Sequence, residues 1–315
     1  MKWQAKSRRG PFIACAAALL AAAAVLTFAG CGDSSSTESS SSPVAATVTP
    51  SPSIVPAAEP VSTWDEPGSA SPAQTLAVAR RYAAALHAEN VKTGLYAPGA
   101  TWHIWSSDAS AKGPADIAGV YGDVAEYADW SKGHVYAGAG AGVEEGQLTV
   151  YGTSSTPYLT LLAVDGNKIV HEEIFINEGD TPAVKVFGAA PGPKDTAAVA
   201  AKVGEKVGDA FATGDRAALQ ALVAPDVMFR DVAEKNGVRG WDALATWWDN
   251  VPSVTLTNKD PVAGQGWSVV RWTIRRDYST GVQLAMPGAT MMEVRDGKVV
   301  RMTVYYDSSN IRLQE

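Results

Sequence analysis

Two carboxylates in this chain are placed to do proton chemistry. Glu172 lies in Val170-His-Glu172-Glu-Ile174-Phe-Ile176. Strand alternation puts Val170, Glu172, Ile174 and Ile176 on one, mostly apolar face. If that face is interior, loss of hydration raises the pKa of Glu172, which becomes a general acid, a general base or a ligand anchor; if the strand twists, it sits at a wet rim. Asp231 ends the run Asp226-Val-Met-Phe-Arg-Asp231, where it either faces a cavity or pairs with Arg230 or Arg239. Aromatic side chains could wall such a cavity. Trp241, Trp247, Trp248, Trp267 and Trp272 cluster in the C-terminal part with Met291, Met292, Met302, Tyr305 and Tyr306. Such residues usually fill a core; those left facing open space would suit a flat apolar ligand, and Trp248, Trp272, Met302, Tyr306 and Trp102 are the candidates.

Other chemistries find no support. The four histidines are His87, His103, His134 and His171, and no pair has close metal-ligand spacing. By alternation His103 faces away from Trp102 and Ile104, and His171 away from Glu172. There is no Gly-rich phosphate loop, Gly-x-Ser-x-Gly elbow or P-loop lysine, so neither a metal nor a cofactor is expected. The only cysteines are Cys15 and Cys31, which leaves the folded part without a disulfide or a thiol nucleophile.

The elements that position these residues occur twice. Ala97-Pro98, Trp102, Gly113, Ile117 and Tyr121 recur 127 positions later as Ala224-Pro225, Phe229, Gly240, Leu244 and Trp248. Asp165-Gly166-Asn-Lys-Ile-Val170 recurs as Asp296-Gly-Lys-Val-Val300. Each copy opens with a helix, faced by Leu76, Ala79, Ala83 and Leu86 after Ser71-Pro72, or by Val199, Val203, Val207 and Phe211 after an Asp195 cap. A short second helix ending near Leu95 or Leu222, a strand at 100–106 or 226–232, and a third helix follow. Strands fill the rest, the last two joined at Asp-Gly, a strong hairpin signal. Helices followed by an antiparallel sheet read as α+β, here two tandem cone-shaped domains at 73–187 and 194–315, each a bent sheet over three helices.

The second copy resembles the nuclear transport factor 2-like superfamily, in particular its SnoaL-like and ketosteroid-isomerase-like members. The carriers are Phe211-Ala-Thr-Gly-Asp215, Leu222-Val-Ala-Pro-Asp226-Val-Met-Phe-Arg-Asp231, Gly240-Trp-Asp-Ala-Leu244, Val270-Arg-Trp-Thr273 and Asp296-Gly-Lys-Val-Val300; the first copy matches more loosely. The resemblance implies a conical pocket. In isomerases it implies a carboxylate base, with a tyrosine and a protonated acid holding the enolate oxygen. The second copy has Asp231 at the base position but Val207 at the tyrosine position, with the acid position near Thr290. The first copy has Tyr82 at the tyrosine position but Ile104 at the base position, with the acid position near Leu159. Neither pocket holds the full set. The expected function is therefore binding of a small apolar ligand or service as an interaction module. The alternative is an isomerase or cyclase using Asp231 as base. The family's homodimers imply that the two copies form an intramolecular pseudo-dimer.

The start of the chain reads as an address. Lys2, Lys6, Arg8 and Arg9 precede an uncharged, Ala-rich run from Phe12 to Phe28, and Ala29-Gly30-Cys31 follows. This is a secretory signal whose end resembles a bacterial lipobox. The resemblance implies a lipidated Cys31, a signal over 1–31, and export to the outer face of the cell membrane. An ordinary signal peptide and an N-terminal membrane helix are the alternatives. Ser7-Arg8-Arg9 hints at twin-arginine export, although Pro11 interrupts that context. The Ser- and Pro-rich segment 32–72 cannot bury a core and reads as a disordered tether carrying one large apolar side chain, Trp64. The chain has a formal net charge of −7, and loss of the leader removes four further positive charges. An acidic chain with no basic run excludes nucleic acid as an expected partner.

Overall fold

A computed structural model of the chain describes residues 68–150, 152, 154–177, 188–234, 237–250, 255–258, 261–277 and 283–308. The expected leader, Cys31, Trp64 and most of the tether lie outside the described residues. Among those described, no helix is long and apolar enough to cross a membrane.

Helix α1 (Pro72–His87) begins at a capping box. Ser71 accepts from the Gln74 N–H, and the Gln74 side chain accepts from the Ser71 N–H. Its buried stripe runs through Thr75, Val78, Tyr82 and Leu86, so the expected Leu76 is only half-buried. A 3-10 turn, Thr93–Leu95, replaces the expected second helix; a segment this short, with Gly94 at its centre, cannot nucleate an α-helix. Strands β1 (Tyr96–Ile104) and β2 (Ala109–Lys112), helix α2 (Pro114–Val124), and strands β3 (Ala128–Ala137), β4 (Ala141–Val150), β5 (Ser154–Asp165) and β6 (Lys168–Ile176) follow. They form a six-stranded sheet ordered β2-β1-β6-β5-β4-β3, antiparallel except for the β1–β6 pair.

The C-terminal half repeats the plan. Helices α3 (Ala197–Thr213) and α4 (Arg216–Leu222) lead to β7 (Val223–Asp231), β8 (Val238–Arg239) and helix α5 (Trp241–Asn250). Then come β9 (Thr255–Asn258), β10 (Val262–Gly264), β11 (Trp267–Asp277), β12 (Gln283–Arg295) and β13 (Lys298–Tyr306). The sheet order is β10-β11-β12-β13-β7-β8, with β9 paired to β11, and β13–β7 is again parallel. The cap of α3 is Thr196, which accepts from the Val199 N–H. The expected cap, Asp195, instead accepts from the Gly297 N–H in the final hairpin turn. Val199, expected on the core face, is exposed.

The repetition extends to backbone detail. Gly113 and Gly240 both take φ near +85° (85° and 88°), which glycine alone adopts without strain. Their N–H groups donate to Ala100 and Val227, each at 2.8 Å. Trp105 N–H meets the Ile174 carbonyl as Val232 N–H meets that of Val304. Each final hairpin carries a bulge at the same place, between Ala163 and Val164 and between Glu293 and Val294. The bulge corrects one expectation. An extra residue inverts the alternation, so Ile169 and Val299 fill the helix-side cores, and Val170 turns to the opposite face of its sheet. Beyond the bulge the expected parity holds: Glu172 and Ile174, Met302 and Val304 face the helices.

Each sheet carries its helices on one face. The other two faces pack together in a third core that includes Phe175, Leu159, Leu161 and Val143 from the first sheet and Trp267, Met291, Val269 and Tyr305 from the second. Buried ions thread this layer. Arg301 Nε donates to Glu293 at 2.8 Å, and its terminal nitrogens donate to Glu145 of the opposite sheet and to Tyr136 at 2.7 Å. Tyr136 donates onward to Glu293 and Tyr305 to Glu145. Arg301, Glu145 and Glu293 are all at or below 1% exposure. Removing one partner of such a set leaves charges buried without compensation, at a cost of about 3–5 kcal/mol. Arg301→Ala should therefore lower unfolding free energy in denaturant by about 3–5 kcal/mol, and Arg301→Lys, which cannot bridge both acids through a planar fork, by a smaller amount.

Candidate functional site

The structure brings Glu172 and Tyr82, picked out separately in the sequence, into direct contact. Glu172 is wholly buried. Its Oε1 accepts from Tyr82 at 2.7 Å and from Tyr121, and its Oε2 accepts from Tyr96 at 2.7 Å. Tyr82 and Tyr121 oxygens lie 2.8 Å apart, and Trp102 Nε1 donates to Tyr121 at 3.3 Å. Trp102 thus buttresses this array at 5% exposure. Burial lifts the Glu172 carboxyl to about 7, against the pull of the three tyrosine hydrogen bonds. Burial, and then the Glu172 charge, raise all three phenols, which stay protonated donors. A second carboxylate, Glu144, shares this interior: Tyr158 donates to it at 3.1 Å, and His87 Nε2 lies 2.7 Å from the same oxygen. His103 and His171 face the inter-sheet layer, His103 against Trp105 and His171 beside Glu173 at 3.4 Å.

Asp231 occupies the other interior. Oδ1 accepts from the Ala233 N–H at 2.9 Å, and Oδ2 accepts from Trp247 at 3.0 Å and Tyr306 at 2.9 Å. Neither neighbouring arginine is among these partners; Arg239 pairs with Asp226. Burial lifts Asp231 to about 6, opposed by its three hydrogen bonds. Around it the walls are aromatic: Phe229 against Trp247, Phe211 against Trp248 and Trp272 against Tyr306. Trp247, Trp248, Tyr306 and Phe211 are all partly exposed, while Asp231 itself is buried. Trp272 donates to Thr290 at 2.9 Å; Thr290 stands at the expected acid position. Met302, expected to line a cavity, is buried in the core.

Strand registers put the two interiors in correspondence. Trp102 pairs with Glu172 as Phe229 pairs with Met302, and Tyr96 with Ile169 as Val223 with Val299. Glu144 pairs with Thr160 as Val270 pairs with Thr290. The polar set Tyr82, Tyr96, Tyr121, Glu144, Glu172 therefore becomes Val207, Val223, Trp248, Val270, Met302. Asp231 stands where the first half has Ile104. Tyr96, Tyr121, Glu144, Tyr158 and His87 escaped the sequence reading. The pairs Tyr96/Val223 and Tyr121/Trp248 do lie at the 127-residue spacing, and their polar-for-apolar exchange was a usable signal.

A cavity of about 430 Å³ lies elsewhere, lined by residues including Gln220, Pro225, Arg239, Trp241 and Asp242. It holds none of the candidate residues and is open to solvent. Among the described residues no group of His, Cys, Asp and Glu is arranged to hold a metal.

The profile of the SnoaL-like domain family matches residues 205–302. No curated protein matches the chain. Solved structures similar to it include a candidate ketosteroid isomerase of Kribbella flavida (18% identity, covering 35% of this chain and 78% of that one, TM-score 0.31). A candidate SnoaL-like polyketide cyclase of Jannaschia is 14% identical over 40% of this chain and 95% of that one, with TM-score 0.33. A candidate polyketide cyclase of Xanthomonas campestris is 22% identical over 37% and 96%, with TM-score 0.33.

The elevated Glu172 carboxyl has a consequence for stability. Its folded pKa, about 7, exceeds the model-peptide value of 4.5. The contribution of its protonated form is complete below pH 4.5 and is lost as pH rises through 7. Glu172→Gln, which cannot ionise, should be free of that loss. Denaturant titrations at pH 4.5 and pH 8 should show the variant gaining about 3 kcal/mol on the wild type across the window.

Proposed function

We propose that the chain is an exported lipoprotein whose C-terminal half binds a small, flat, largely apolar molecule with one hydrogen-bonding group. The observation that carries this reading is Asp231, held by Trp247 and Tyr306 inside a partly exposed aromatic surround. Apolar walls supply area, and one fixed carboxyl supplies orientation. Its counterpart position in the other half is Ile104, so the fold does not itself require an acid there.

Binding is favoured over catalysis by what surrounds the carboxyl. Proton transfer beside a carbonyl needs donors aimed at the developing oxyanion. The corresponding positions are Val207, which has no donor, and Thr290, a buried hydroxyl where a protonated carboxyl would be needed. A second reading, an isomerase or cyclase with Asp231 as general base, draws on the carboxyl's elevation to about 6, close to where a base works best.

The two readings separate on one variant. With 2-naphthol as probe and the full chain in detergent, Asp231→Asn should leave affinity within about threefold, because the amide still accepts a hydrogen bond. Trp248→Ala should weaken it by about tenfold or more through lost aromatic area. Turnover of an apolar ketone that vanishes in Asp231→Asn would instead establish the enzyme. If 2-naphthol does not bind and no copurifying ligand appears by native mass spectrometry, both pocket readings fail and an interaction module remains. Export and anchoring rest on the Lys/Arg-rich leader and Cys31. Cys31→Ala should move the protein from the membrane fraction to the soluble exported fraction, and an unchanged membrane fraction would overturn the lipid anchor.

A further inference from the structure

Glu144 is a buried acid with one oxygen unaccounted for. It is wholly buried on the helix-facing side of β4. Its Oε1 meets Tyr158 and His87, while its Oε2 has no hydrogen-bond partner among the described residues. Directly across the ladder stands Thr160, also wholly buried, whose hydroxyl likewise has none. A buried carboxylate oxygen and a buried hydroxyl, on directly paired residues and each unpaired, are costly unless something else meets them. Glu172 shares this interior, and no lysine or arginine of the described residues pairs with either acid; the sole basic partner is His87, whose side chain is 13% exposed. Trp130 and Tyr158 stand edge to face at 4.8 Å, and Trp130 also packs against Tyr121 at 6.2 Å.

The C-terminal half keeps the threonine, as Thr290, but shows that the scaffold does not require the acids or the phenols. The same register positions there hold Val270 for Glu144, Met302 for Glu172 and Gly288 for Tyr158, and that core closes with apolar side chains. The acids and phenols of the first half are an addition to a fold that is complete without them.

We propose that the interior of the N-terminal half is a second site, independent of Asp231, for a small organic cation whose ammonium group donates to Glu144 Oε2 and Thr160 Oγ1 among the Trp130 and Tyr158 rings. Carboxylate and aromatic faces together are the recognition chemistry of an ammonium. His87 is the least buried member of the polar set, with its Nε2 2.7 Å from Glu144 Oε1. The ammonium takes the other oxygen, Oε2, which leaves the His87 contact on Oε1 in place; the partly exposed His87 marks the way in.

Calorimetric titration of the full chain in detergent tests this, with methylammonium, tetramethylammonium and benzylammonium as probes and benzyl alcohol as the neutral comparison. At least one ammonium should bind about tenfold more tightly than benzyl alcohol. Glu144→Gln should weaken that ammonium by about tenfold, and Thr160→Val, which keeps shape but removes the hydroxyl, by about threefold or more. Asp231→Asn should leave it unchanged, which separates this site from the one proposed above. The proposal is overturned if none of the three cations binds, if benzyl alcohol binds equally well, or if Glu144→Gln binds as the wild type does. Should Glu144→Gln fail to fold, an unaltered affinity in Thr160→Val decides against it.

Discussion

The guanidinium of Arg301 lies between two acids from opposite sheets, Glu293 and Glu145, out of reach of bulk solvent, and Arg295 also pairs with Glu293. Buried acids of like sign close together require such a partner, and the planar fork of arginine can serve both at once. This fixes which faces of the sheets meet. With the ionic faces turned toward each other and surrounded by Trp267, Phe175 and Met291, the helices lie on the outer sides. Each half then keeps its own helix-facing interior, and the two are separated by both sheets. Whatever one interior binds, the other does not touch.

That separation left the two interiors free to diverge. The backbone is repeated down to the glycine before the third helix and the bulge in the last hairpin, because these are geometric necessities of the shared plan. Side chains aimed into the interiors obey no such constraint. One interior collected two carboxylates and a set of phenols; the other collected methionine, valine and tryptophan with one acid. The exchange is concerted, as buried hydrogen bonding demands: a lone tyrosine or glutamate in an apolar core would lack a partner, so the set is kept or lost together.

Local chemistry made part of this legible in the sequence. The Asp-Gly hairpins, the Ser71 cap, the third helices and the inward aim of Glu172 follow from short-range pattern. Asp231 and Tyr82 came from position within a resembled fold. What stayed hidden depends on register between distant strands. The bulges at Val170 and Val300 add a residue that simple alternation cannot see. Tyr96, Tyr121 and Glu144 lie on separate elements and converge only once β1, β6, β5 and β4 are aligned. Nothing in the sequence singles out Glu145, Glu293 and Arg301, because charged residues alternating with apolar ones ordinarily face water; in the structure that side is a second core.

In the proposed function Asp231 receives the ligand, while Glu172 is wholly buried in the other interior. Carboxyl ¹³C NMR of the selectively labelled chain, followed through a titration with 2-naphthol, tests this directly. The account predicts that the Asp231 resonance moves with saturation and the Glu172 resonance does not. Movement of Glu172 with Asp231 unmoved, or of neither during demonstrable binding, would contradict it.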